Sequence, residues 1–314
     1  MWHEVLNIEV LGTHFGVSWG HAVSAQQQAI MRAAWKRCAG RPATVLTPAP
    51  HPPTGRLPFS ASVAYRTKSR IPVTFQLQAE TFEGLAENLT SQLTLAAILE
   101  HAGQFTMLHA CGVADPQTGA VVALVAKSGT GKTTASSVLA AAYGYVTDET
   151  VAILPDGSIV AYPKPLSIKQ PNPEAPKFQV GPDELGLLTA PEELFVQSIV
   201  LLDRVAAADG PVSPVLQRVL LADALLALIP ETSSQSKIEQ PLQSLCRLID
   251  HVGGVWKVTY RRPSNSLRRW HRSLKWRTAL ARPRLHGPPR RSPGPRLQCN
   301  RPERSANAFD APSR

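Results

Sequence analysis

Cysteine is scarce and scattered. The 314 residues hold four, Cys38, Cys111, Cys246 and Cys299. Spacings this wide exclude a zinc knuckle or a paired redox motif and point to reduced thiols in a cytoplasmic protein. Long apolar runs are missing too. The longest, residues 219–229, contains Asp223 and is too short to span a bilayer, so no membrane partner is expected. The first residues, MWHEVLNIEV, have neither a basic start nor an apolar core, so no signal peptide is expected. Acidic residues are nearly absent from the last 54 residues, and that absence explains the overall charge of +10. Residues 261–314 carry fourteen arginines and one lysine against Glu303 and Asp310, a net charge of +13, so residues 1–260 carry −3. The body of the chain is mildly acidic, and a nucleic-acid reading of the whole fails. In the arginine-rich portion of that stretch, before Phe309, aromatics are confined to Trp270 and Trp276, which also argues against nucleic acid as a partner.

An apolar share of 43% supplies a sizeable core. Residues 5–17 read as two short strands around Gly12. Residues 25–39 read as a helix with Ile30, Ala34 and Cys38 on one face. A proline-rich loop occupies 47–58, and paired strands follow at 59–65 and 73–77. Leu85, Leu89, Leu93, Ala96 and Leu99 form a helical stripe in 85–102. Residues 105–113 read as a strand that pairs antiparallel with the next one across the turn Pro116-Gln117-Thr118-Gly119. Further on, 195–202 and 255–260 read as strands, and 216–229 and 238–252 as helices. Beyond about residue 280 the apolar periodicity stops. Proline and arginine dominate, and the tail is expected to be disordered; text of this kind is also what GC-rich DNA yields out of frame.

The chain is organised around residues 120–154. An apolar run at 120–126 reads as a buried strand, and Ala126-Lys127-Ser128-Gly129-Thr130-Gly131-Lys132-Thr133 then follows the phosphate-loop pattern, with alanine in place of the first glycine. Gly129 and Gly131 permit backbone conformations that turn several N–H groups toward one anion. Lys132 can reach the outer phosphates, and the Thr133 hydroxyl can ligate magnesium. Residues 134–142 read as a helix whose N-terminus faces the phosphates, with Gly144 closing it. Ser128, Gly129, Thr130, Gly131, Lys132, Thr133 and Thr134 are therefore the expected nucleotide contacts.

Asp148 and Glu149 interrupt the apolar run at 145–154. Acids there need a cation or hydrogen bonds to meet them, so they are candidate catalytic or metal-binding groups. Asp203 ends an apolar strand in the Walker B form and is a rival metal ligand. His109 and Cys111 share one face of their strand. For Cys111 the expectation is a buried thiol. Lys164 and Lys169 lie on the extended segment PKPLSIK at the edge of the site, where they would meet phosphate or solvent.

Taken together, MLHACGV, the stretch from VVALVAKSGTGKTT to DETVAIL, and AYPKPLSIK resemble the HPr kinase/phosphorylase family, whose core is shared with phosphoenolpyruvate carboxykinases. The resemblance covers residues 105–170 and extends to Tyr260 by order of elements. It implies ATP and Mg2+ as cofactors, Lys132 on the β- and γ-phosphates, and Thr133 on magnesium. It further implies Asp148 as general base, with Glu149 supporting the metal, and His109 tuning Asp148. Glu149 stands where the family has aspartate. A Glu-x-Arg-Gly-x-Gly segment is missing, which removes HPr itself as the expected substrate.

The expected fold is mixed α/β, with a small α+β region over 1–104, an HPr-kinase-like P-loop domain over 105–260 and the basic tail over 261–314. The expected function is magnesium-dependent transfer of the γ-phosphoryl group of ATP to a hydroxyl of an unidentified protein, peptide or small molecule. Two alternatives stay open: an NTPase coupled to peptide maturation, and a nucleotide-sensing module without turnover. Members of the family often form homo-oligomers, although no seam is readable here.

Overall fold

A computed structural model describes residues 5–41, 57–127, 129–204 and 215–260. The basic tail, most of the proline-rich loop and Ser128 lie outside these. The fold is mixed α/β.

The chain opens with β1 (Leu6–Val10) and β2 (Thr13–Trp19), followed by α1 (Ala25–Ala34). Ser24 caps α1: its hydroxyl accepts from the Gln27 N–H while the Gln27 side chain accepts from the Ser24 N–H. The helix is shorter than the pattern predicts, because a 3-10 turn at Lys36–Cys38 carries the chain on. Met31, Ala34, Trp35 and Cys38 face the core, and Ile30 is 48% exposed instead. Strands β3 (Phe59–Arg66) and β4 (Pro72–Ala79) complete an antiparallel sheet in the order β1-β2-β3-β4. Helix α2 (Phe82–Glu100) starts on a Thr81 cap and covers the sheet. Leu85, Leu89 and Leu93 are fully buried, each contributing roughly 1.5–3 kcal/mol. The stripe continues through Ala97, leaving Leu99 in solvent.

The second sheet starts with β5 (Thr106–Ala114) and β6 (Ala120–Val125), then α3 (Lys132–Leu139), β7 (Gly144–Thr147), β8 (Thr150–Ile153) and β9 (Ile159–Val160). A small antiparallel pair follows, β10 (Leu166–Ile168) with β11 (Phe178–Val180). The remaining elements are β12 (Phe195–Arg204), β13 (Val215–Arg218), α4 (Leu221–Leu228), β14 (Thr232–Ser233), α5 (Pro241–His251) and β15 (Val255–Tyr260). The sheet order is β13-β15-β12-β6-β5-β8-β9. Strands β6, β12 and β15 run parallel, and β5 pairs antiparallel with β6, as the turn at 116–119 predicts.

Burial on both faces accounts for the unbroken apolar text of β6. Val121, Ala123 and Val125 pack toward α4 and α5, while Val122 and Leu124 pack toward α3. Two expectations fail here. Residues 215–218 are an edge strand on β15, not the start of a helix. Gly144 opens β7 and does not cap α3, and a Cβ there would fall 2.4 Å from the Ala190 Cα. The first sheet and the second share a core, since Met107, Ala152 and Tyr162 belong to the cluster built from β1–β4 and α2. No helix among the described residues is long and apolar enough to cross a membrane.

Candidate nucleotide site

The turn between β6 and α3 is made by two glycines. Gly129 has φ 80° and Gly131 has φ 110°, both in the left-handed region. A Cβ on Gly129 would meet nothing within 4 Å, so the backbone conformation alone calls for glycine there. Gly131 is the N-cap of α3 and offers no side chain to the helix start. The first turn of α3 therefore has N–H groups left for an external acceptor. Gly129 and Thr134 are exposed and Thr130 is half-buried.

Lys132, the first residue of α3, is 8% exposed, and its ammonium donates to the Ala126 carbonyl. Burial lowers its pKa below the ordinary lysine value, and the nearby Cys111, Glu231, Glu149 and Asp148 oppose that shift. The Thr133 hydroxyl donates to Asp148 Oδ2 at 3.1 Å.

Asp148 and Glu149 lie between β7 and β8, alongside β5 at Ala110 and Cys111. The Ala110 N–H donates to the Glu149 carbonyl at 3.0 Å, which keeps the pair tied to the sheet. Asp148 is buried, with both oxygens engaged. Besides Thr133, it accepts from the Tyr145 hydroxyl at 3.3 Å and faces the Lys164 ammonium at 2.9 Å. Glu149 is more open, with its side chain 32% exposed and Oε2 lying 3.2 Å from the same ammonium. For Lys164, burial on its own would lower the pKa, but the two carboxylates prevail and hold it above the ordinary lysine range.

His109 sits on β5 opposite Thr150 of β8. Burial lowers its pKa, Lys132 pushes the same way, and Glu149, Glu231 and Asp148 oppose. Glu231 directly precedes β14, whose Thr232 pairs with Leu108, so the register carries Glu231 to the His109 position. Cys111 is fully buried, and burial pushes its thiol up to about 12. Asp203 accepts from the Thr259 hydroxyl at 3.3 Å and lies 3.8 Å from Lys257, on the exposed end of β12.

The structure thus brings Lys132, Thr133, Asp148 and Glu149 around one place, with His109 in electrostatic reach. Three further residues join them, and two of these, Glu231 and Tyr260, carry no signal in the sequence motif. Lys164 is buried and does not meet solvent. Lys169, by contrast, is exposed. Glu231 arrives from the 3-10 turn that precedes β14, and Tyr260 donates its hydroxyl to the Thr130 carbonyl at 3.2 Å.

Among the described residues, no three or more His, Cys, Asp or Glu side chains are grouped to hold a metal. A hydroxyl and two carboxylates are hard oxygen donors of the kind Mg2+ accepts when phosphates complete its shell.

No family model matches the chain, and no curated protein matches it. Among solved structures it is similar to the Hpr(Ser) kinase/phosphatase from Coxiella burnetii at 12% identity and a TM-score of 0.27. That match covers 55% of this chain and 90% of the other. The likeness is distant in both sequence and shape.

Proposed function

We propose that this chain binds the triphosphate of ATP together with Mg2+ at residues 126–134 and transfers the γ-phosphoryl group to a hydroxyl acceptor. The observation that carries this reading is the Thr133–Asp148 contact of 3.1 Å. It joins the helix that follows the glycine turn to the acid-bearing strand segment, as a nucleotide site with a metal beside it requires.

In this reading Lys132 leaves the Ala126 carbonyl for the outer phosphates, and the amides of the turn hold the inner ones, with Ser128 assigned by its place in the motif. Thr133 and Asp148 would hold Mg2+, which supplies charge neutralisation on the β- and γ-oxygens. The resemblance implies Asp148 as the base. Its two oxygens already serve Thr133, Tyr145 and Lys164, so that task falls better to a group with an open side. Glu149, with its side chain 32% exposed, and half-buried His109 can take the hydroxyl proton.

The test is γ-labelled ATP with Mg2+ and candidate acceptors, following label transfer and phosphate release together. Label moving to an acceptor supports the kinase. Phosphate release alone selects the NTPase reading, and tight binding without either selects the sensor. Lys132→Ala should lower ATP affinity by about a hundredfold, close to 3 kcal/mol. Unchanged affinity would remove the loop as the site.

A further inference from the structure

Lys164 has no role in that scheme, yet it is among the largest fully buried side chains, at 1% exposure. Its ammonium contacts Asp148 at 2.9 Å, Glu149 at 3.2 Å and the Pro165 carbonyl at 3.0 Å. Several elements fix its place. Pro163 has a fixed φ, and Pro165 confines Lys164 to extended backbone. The Tyr145 hydroxyl shares its one proton between Asp148 and the Lys164 carbonyl, 3.1 Å away, and the Tyr162 N–H donates to the Val146 carbonyl at 3.2 Å. The Tyr162 hydroxyl is hydrogen-bonded to Thr94 of α2 at 2.6 Å.

Two adjacent carboxylates repel each other and attract a divalent cation. A fixed ammonium touching both removes one unit of that charge. The Lys132 ammonium, within electrostatic reach of the same pair, offsets much of the rest. Three carboxylates, Glu231 included, face two ammoniums, so one negative charge remains before any phosphate arrives, and a cation finds too little of it to leave water. A triphosphate supplies that charge.

We propose that Lys164 makes divalent-cation binding conditional on nucleotide: it occupies Asp148 and Glu149 in the empty site, so that Mg2+ enters with the triphosphate and not ahead of it. Lys164 is a positioning residue in this scheme, and the proposal rests on the nucleotide reading above.

Mn2+ serves as the probe, followed by electron paramagnetic resonance on the full chain with and without ATPγS. Wild type should bind Mn2+ weakly alone and at least about a hundredfold more tightly with nucleotide. Lys164→Met should tighten nucleotide-free Mn2+ binding by at least about tenfold, and Mn2+ should then raise its melting temperature but not that of wild type. Adding Asp148→Asn to Lys164→Met removes one charge of each sign and should return the weak binding. Equal nucleotide-free affinities in wild type and Lys164→Met overturn the proposal. So does tight Mn2+ binding by nucleotide-free wild type, a result that stands even if the variant fails to fold. If a fluorescent ATP analogue does not bind wild type, the nucleotide reading falls and takes this proposal with it. If it binds but Lys164→Met leaves Mn2+ affinity unchanged, only the proposal falls.

Discussion

Thr133 and Asp148 are fifteen positions apart in the chain and 3.1 Å apart in space, hydroxyl to carboxylate. One belongs to the first turn of α3 and the other to the break between β7 and β8. Thr133→Val keeps the shape and removes the hydroxyl. It should weaken Mg-ATP binding by about tenfold while changing metal-free ATP binding much less. Calorimetry with and without Mg2+ checks this. An equal loss in both conditions would show that the hydroxyl serves Asp148 alone.

Asp148→Asn leaves the buried Lys164 ammonium with Glu149 as its one remaining carboxylate. Breaking a buried pair this way should cost about 3–5 kcal/mol, read from urea unfolding at pH 7. A loss under about 1 kcal/mol would mean that Glu149 suffices. The pH dependence has a fixed sign. The Lys164 pKa is raised in the fold, so its stabilisation is complete below the ordinary lysine value, about 10.4. It fades only as pH climbs through the higher folded value.

Glu231→Gln should lower the pKa of His109 further, because the lost carboxylate favours imidazolium. Proton NMR titration of the His109 ring reads this directly. An unchanged midpoint would mean that solvent screens the two side chains from each other.

His101 carries a separate pH signature. It stacks on Phe105 with ring centroids 4.5 Å apart, accepts from the Lys68 ammonium at Nδ1 (3.0 Å), and contacts the Thr13 hydroxyl through Nε2 (3.2 Å). Burial, aided by Lys68, lowers its pKa to about 4. The unfolded chain therefore binds more protons than the fold between about pH 6.5 and 4, and stability should fall as pH drops through that window. Urea unfolding at pH 7, 5.5 and 4.5 should show the slope, and His101→Gln should flatten it. A slope unchanged in the variant would place its origin elsewhere.

The glycine turn and its flanking strand and helix were legible because periodicity and turn chemistry act over a few residues. The acids at 148 and 149 stood out because they break an apolar run. Lys164 looked like an edge residue, since nothing local tells a lysine that a carboxylate awaits it 15 positions upstream. Glu231 and Tyr260 were invisible for the same reason: register and sheet order bring them in. The text at 215–218 suits either a strand or a helix, and pairing with β15 decided it. Leu99 and Ile30 show the limit of counting by fours, since which side of a helix is covered depends on the sheet beneath it.

The Thr94–Tyr162 hydrogen bond links α2 to the segment that carries Lys164. Thr94 comes from the helix that roofs the N-terminal sheet, and Tyr162 stands two residues before Lys164. A protein cut between residues 104 and 105 would lose that roof and leave an aromatic hydroxyl and its apolar neighbours facing water. The excised fragment should then hold its acid clamp loosely. Sequence drift in that helix can thereby reach the Lys164 ion pairs at a distance.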